Sequence, residues 1–250
     1  MAKKRGRPAQ KGQEVASDIA ALDHLTKREV RVIELEANIQ EENDRAAAEN
    51  RACLRARGIC ALNLISSPGS GKTTLLVETI KALKDEMRCA VIEGDQQTSH
   101  DAFRIAECGV PVIQINTQQS CHLNAAQVRR ALEELPLGSI EVLFIENVGN
   151  LVCPASFDLG ESEKVVIMSI TEGEDKPVKY PLAFHLASIL VLTKMDLLPY
   201  LRFDLERCKQ YARQVNPRLR MVDTSAFSHQ GLQEWLEIVR SKVGTIRAGE

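Results

Sequence analysis

No run of the 250 residues stays apolar for the roughly 20 positions that a membrane-spanning helix requires. The start, Met-Ala-Lys-Lys-Arg-Gly-Arg-Pro, lacks the apolar stretch that follows the charges of a secretory signal. Neither charge sign dominates. Lys and Arg number 32 against 34 Asp and Glu, a formal balance of −2, so nothing global favours a nucleic-acid or membrane partner. The seven cysteines (Cys53, Cys60, Cys89, Cys108, Cys121, Cys153 and Cys208) are odd in number, scattered, and form no C-x-x-C pair. That argues against a disulfide framework and for a reducing, cytoplasmic setting. Internal repeats and low-complexity tracts are missing too. What remains, 44% hydrophobic and 26% charged, is the composition of a soluble globular protein long enough for one substantial core.

Residues 1–15 hold Lys3, Lys4, Arg5, Arg7 and Lys11 and almost nothing apolar, so they are expected to form a disordered basic tail. Arg5-Gly6-Arg7-Pro8 resembles the core of an AT-hook, but one copy in a basic tail reads as a solubilising segment, and DNA is not an expected partner. Residues 16–57 contain neither Gly nor Pro and are rich in Ala, Glu, Leu and Arg, which predicts a helical segment. Its apolar stripe of Val30, Ile33, Ala37 and Leu54 is thin, enough only to dock on the main domain or a partner.

From residue 58 to 250 apolar runs alternate with amphipathic stretches. Strands are expected at Ala61–Ile65, Cys89–Glu93, Val110–Ile115, Glu141–Ile145, Val165–Ile170, Ser188–Leu192 and Arg218–Val222. Helical spacing links Val128, Leu132 and Leu135, and later Leu232, Trp235, Leu236 and Val239. The strands are continuously apolar, which suits a sheet covered on both faces. The alternation predicts an α/β domain, doubly wound, with a mostly parallel sheet of about seven strands.

Ser66-Ser67-Pro68-Gly69-Ser70-Gly71-Lys72-Thr73-Thr74 follows the first strand and opens a helix, the context of a phosphate-binding loop. Gly69 and Gly71 let the backbone N–H groups of the Ser70–Thr74 run converge on phosphate oxygens, aided by the helix N-terminus. Lys72 is expected on the β- and γ-phosphates and the Thr73 hydroxyl on Mg2+. Ser66 stands where the motif usually begins with Gly. Thr193-Lys194-Met195-Asp196 matches the [NT]-K-x-D box of GTPases. Its Asp196 carboxylate can accept from both N1–H and N2–H2 of guanine, while the Lys194 stem packs along the base. Ser225-Ala226 supplies a third contact to the base. Glu146-Asn147-Val148-Gly149 occupies the D-x-x-G position, with Glu146 toward Mg2+ and the Gly149 N–H toward the γ-phosphate. Asp95 and Asp101 are further Mg2+-side candidates, or turn and capping residues. Spacing leaves open which carboxylate orients the attacking water.

Cys121 and His122 lie in the loop after the third strand, and Cys153 follows Gly149 closely. Thiolate and imidazole together suit Ni2+ or Zn2+. In a doubly wound sheet both loops emerge at the strand C-terminal edge, beside the nucleotide.

Together with Lys176-Pro-Val-Lys-Tyr-Pro, these motifs resemble the HypB family from about Asn43 onward. The resemblance implies GTP hydrolysis with Mg2+, GTP-promoted homodimerisation, and a Ni/Zn site of Cys121, His122 and Cys153 at the dimer interface. It also implies nickel insertion into nickel–iron hydrogenase, with a HypA-type zinc metallochaperone and the hydrogenase large-subunit precursor as partners. The N-terminal cysteine cluster or His-rich tract of many members is missing, since the first Cys is Cys53 and the first His is His24. Other readings are a urease-type nickel GTPase, whose motif is Cys-Pro-His, a nucleotide-sensing regulator with a DNA-binding tail, and an ATP-using P-loop kinase.

Overall fold

A computed structural model describes residues 39–95, 100–118 and 120–249. The expected basic tail and most of the expected N-terminal helical segment lie outside the described residues. Asn43–Glu250 forms one compact unit.

The described helix α1 covers residues 39–55. Gly58, at φ 65°, turns the chain out of it, and the Ile59 N–H closes on the Leu54 carbonyl at 3.0 Å. Strands and helices then alternate: β1 (Cys60–Ser66), α2 (Lys72–Leu83), β2 (Cys89–Asp95), α3 (His100–Ala106), β3 (Val112–Asn116), α4 (Ala125–Glu134), β4 (Val142–Gly149), α5 (Cys153–Ser156) and β5 (Glu163–Ser169). After them come α6 (Lys176–Lys179), α7 (Pro181–Leu186), β6 (Ile189–Thr193), α8 (Leu205–Val215), β7 (Arg220–Asp223) and α9 (Leu232–Ala248). The seven strands form one sheet in the order β3-β2-β4-β1-β5-β6-β7, every pairing parallel. All seven expected strands are present.

Parallel strands point every C-terminal end to one rim, and the order places β1 at the centre, beside β4 and β5. Cys60, Ala61, Leu62, Ile65 and Leu143 to Ile145 have no exposed surface, as a sheet covered on both faces demands. Helices α2 and α9 cover one face, where the Trp235 indole N–H finds the Thr79 hydroxyl at 2.8 Å in the core. Helix α4 covers part of the other. Leu135 shares the spacing of Val128 and Leu132 but lies just past α4 in extended backbone, because the following Pro136 disfavours helix at the residue before it.

Within Asn43–Glu250, α1 is held by buried Ala47 and Leu54 and by amide groups. Asn50 donates to the carbonyls of Ala125 at 2.8 Å and Leu159 at 3.0 Å. Asn43 accepts from the Ala125 N–H and donates to the Asp158 carbonyl. These bonds compensate the burial of polar backbone where three segments meet.

Candidate nucleotide and metal site

The phosphate loop hangs from the end of β1 and feeds α2. Gly69 and Gly71 sit at φ 73° and 89°, a left-handed backbone that disfavours any side chain. Gly71 is the N-cap of α2 and offers no side-chain cap, so the first N–H groups of the helix stay available to an anion. Gly149, at the end of β4, presses on this loop. A Cβ there would lie 3.1 Å from Pro68 Cγ and 3.2 Å from Pro68 Cα. Lys176, after β5, steadies the loop from the other side, donating to the Ser67 hydroxyl at 2.7 Å.

A cleft of about 590 Å³ opens over the loop, lined also by Glu93, Asp95, Asp101, Arg104, Glu146 and Lys194. Lys72 Nζ lies 2.6 Å from Glu146 Oε1, and the Thr73 hydroxyl donates to the same oxygen at 2.6 Å. The ion pair is nearly enclosed, its side chains 11% and 2% exposed. Three buried polar atoms in the cleft have no hydrogen-bond partner: Ser70 Oγ, Glu93 Oε2 and Glu146 Oε2. Buried polar groups are ordinarily satisfied. Hydroxyl and backbone donors below, with carboxylates above, fit a phosphate chain carrying Mg2+.

Glu93 stands opposite Glu146 in the β2–β4 register. Burial, reinforced by the charges of Glu146 and Asp95, pushes its carboxyl up to about 8. Asp101 lies in the first turn of α3, half-exposed, 3.2 Å from Arg104. Neither Glu93 nor Arg104 was expected as a site residue. Glu93 did carry a signal, a charge ending an apolar strand before a Gly. Arg104 carried none, because an Arg on a short helix looks like any solvated cation.

The base-reading end is assembled on β6 and β7. Lys194 adopts φ 62° and sends Nζ back to the Gly69 carbonyl at 2.7 Å. The Thr193 hydroxyl donates to the Ser70 carbonyl at 2.5 Å, joining β6 to the phosphate loop. Asp196 accepts from the Ser225 hydroxyl at 2.5 Å, so the two expected base contacts meet, with half-buried Ala226 next in the chain.

On the same rim, donor atoms of Cys121, His122 and Cys153 all lie within 4.8 Å of one another. Cys121 Sγ is 3.6 Å from His122 Nδ1, and the imidazole stacks on Phe157 with centroids 3.9 Å apart. The Cys153 thiol, then burial, raise the Cys121 thiol above its usual range, while burial lowers His122 and keeps the imidazole neutral and able to bind metal. All seven cysteines are free thiols. Cys60, Cys89 and Cys208 are pushed up to about 12 by burial, which makes them inert core residues.

Residues 60–223 match the model of the CobW/HypB/UreG nucleotide-binding domain. The hydrogenase maturation factor HypB of Escherichia coli (strain K12) is 56% identical over 206 residues, 82% of this chain and 71% of that protein. The chain belongs to the HypB family. Among solved structures, HypB from Archaeoglobus fulgidus matches with a TM-score of 0.77 and 35% identity, over 81% of this chain and 99% of that one. HypB from Helicobacter pylori in complex with nickel matches with a TM-score of 0.78 and 36% identity, over 82% and 96%. The matched family model is that of a nucleotide-binding domain, and the parallel seven-stranded sheet agrees with it. No helix among the described residues is long and apolar enough to cross a membrane.

Proposed function

We propose that the protein is a GTP-hydrolysing nickel chaperone that assists nickel insertion into nickel–iron hydrogenase. It works in the cytoplasm as a GTP-promoted homodimer, with a HypA-type zinc metallochaperone and the hydrogenase large-subunit precursor as partners. The observation that carries this reading is the shared strand. Glu146 and Gly149 of β4 border the nucleotide cleft, and the chain continues directly to Cys153 of the Cys–His cluster.

In the nucleotide half, the loop N–H groups of Gly69 to Thr74 cradle the phosphates, and Lys72 neutralises the β- and γ-phosphates. The Thr73 hydroxyl, Asp95 and Glu146 hold Mg2+. Lys72 and Thr73 share Glu146 Oε1 here, so the groups that would hold the phosphates and Mg2+ already converge on one point of the cleft. Asp95, Asp101 and Glu146 are the carboxylates available to orient the attacking water. Gly149 N–H reads the γ-phosphate. Asp196, Lys194, Ser225 and Ala226 select guanine, and Lys194 already ties that selection to the loop carbonyl of Gly69.

In the metal half, two thiols and an imidazole form a soft donor set suited to Ni2+, and equally to Zn2+. Among the described residues the set has three donors, and the relatives' HypB name and the nickel-bound structure support Ni2+ as cargo. Loss of the γ-phosphate relaxes the Gly149 segment and so the geometry around Cys153. The test is a Ni2+ titration with GDP and with a non-hydrolysable GTP analogue, following molecular mass and metal stoichiometry together. One Ni2+ site per protomer that responds to nucleotide is expected. A protein that takes up no Ni2+ in either state overturns the chaperone reading and leaves a guanine-nucleotide hydrolase.

A further inference from the structure

The loop carrying Cys121 and His122 is fastened at both of its ends to the tips of β2 and β4, which border the nucleotide cleft. On the upstream side, the Thr117 N–H donates to the Asp95 carbonyl at 2.9 Å, and the Thr117 hydroxyl donates to the Ser120 carbonyl at 3.0 Å. The Ser120 hydroxyl in turn donates to the His122 carbonyl at 2.9 Å. On the downstream side, Leu123 is fully buried. Its N–H donates to Asn147 Oδ1 at 3.1 Å, and that oxygen also takes the Val148 N–H at 3.0 Å. Asn147 is itself locked, donating to Asn63 Oδ1 at 3.3 Å in the core of the sheet.

The Leu123 side chain bears on Gly94. A Cβ at residue 94 would lie 2.7, 2.8 and 2.9 Å from Leu123 Cγ, Cδ2 and Cδ1. Its φ is not left-handed, so what Gly94 provides is room for Leu123 and not backbone freedom. Gly94 stands between Glu93 and Asp95, and Asn147 follows Glu146. Leu123 therefore touches the tips of β2 and β4 at once, next to the carboxylates lining the cleft. A packed contact with no slack passes displacement on instead of absorbing it.

We infer that Leu123 is a positioning residue that passes the state of the nucleotide cleft to Cys121 and His122, through its side chain on Gly94 and its N–H on Asn147. This rests on the nickel-chaperone reading and adds to it a second path, which leaves β4 at Asn147 and β2 at Gly94 and ends at Cys121 and His122 instead of Cys153. When Mg2+–nucleotide rearranges Glu93, Asp95 and Glu146, the strand tips move, and Leu123 carries the residue before it. By linkage the same contact makes Ni2+ alter nucleotide affinity.

The test uses the full chain and Ni2+ alone, competed against a chromophoric chelator, with GDP and with a non-hydrolysable GTP analogue. The readout is the ratio of the two apparent Kd values for Ni2+. In the wild type a ratio of about fivefold or more is expected, the lower end of ordinary coupling. Leu123→Ala and Asn147→Ala should cut the ratio by about twofold or more while Ni2+ is still bound, leaving the share carried to Cys153, and Leu123→Met, which keeps the volume, should retain it in full. A purely structural role would lower the melting temperature and leave the ratio alone, and that result overturns the inference. A wild-type ratio of one also overturns it, with Ni2+ and GDP binding left intact and the chaperone reading standing. Should the alanine variants fail to fold, the backbone amide resonance of Leu123 in the wild type decides. It must shift when GDP is exchanged for the analogue, and an unmoved resonance refutes the relay.

Discussion

The nucleotide cleft buries Ser70, Glu93 and Glu146 beside strand ends, whereas the Cys–His cluster stands half-buried, with Cys121 and His122 on a loop and Cys153 opening α5. Lys72, Thr73 and Glu146 already form a closed set, and Lys194 and Thr193 bond the phosphate loop to the base-reading strand. The cluster instead offers three donors among the described residues, one fewer than a tetrahedral ion takes. The difference separates a site built to hold its ligand from one built to pass it on. Rigid donors favour tight, selective nucleotide binding, while donors on half-buried segments leave a metal closer to solvent and to exchange.

The largest effect is expected at Lys72. Lys72→Ala removes charge-assisted bonds to phosphate worth about 1.5–3 kcal/mol each, so GDP affinity should fall about 100-fold or more. It also leaves Glu146 buried without its partner cation. Calorimetric titration with GDP checks this, and an unchanged affinity would mean the cleft is not the phosphate site. Cys153→Ala should weaken Ni2+ binding at least about tenfold, since even an outer-shell partner is typically worth that much. GDP affinity should barely change, because Cys153 lies outside the cleft. Equal loss of both affinities would erase the contrast between the two regions.

Asp196→Asn should reduce guanine preference by about tenfold, the cost of roughly one hydrogen bond to a charged acceptor. The GDP-to-ADP affinity ratio measures it, and an unaltered ratio would place base selection elsewhere.

The smallest effect concerns Glu93. Its folded carboxyl holds a proton up to about 8, against 4.5 for the ordinary group. The stability this confers on the nucleotide-free protein is complete below the lower value and is lost as pH climbs toward the upper one. Thermal unfolding between pH 4 and 9, on the order of that window, should show wild-type protein losing ground to Glu93→Gln as pH rises. Parallel curves for the two proteins would show that Glu93 ionises normally.

The sheet was legible because its inner strands, such as β1, β4 and β6, carry short, continuously apolar runs, and the phosphate loop because strand, glycines and Lys72 fall in fixed order. Cys121, His122 and Cys153 were legible as a set through the rule that strand ends share a rim and through the family resemblance, and they do come together. What escaped reading depends on partners distant in sequence. Asn43 and Asn50 look like solvated helix residues until Ala125 and Leu159 are brought beside them. Lys176 contributed only to a family motif, yet it bonds Ser67 in the phosphate loop. Glu93 reads as an ordinary strand-end charge until register sets Glu146 opposite. Periodicity reports which face a residue occupies, and it is silent about cross-chain pairing.

The central place of β1 has a consequence for biosynthesis. Cys60 pairs with Val142, and Leu62 with Glu163. Made before both of its neighbours, β1 must wait exposed until β4 and β5, far along the chain, have been translated. Such long-range parallel pairing is slow and open to aggregation. The loop that hangs from β1 can thus gain its final shape only late in translation, so a nascent chain truncated before β5 should hold no nucleotide at all.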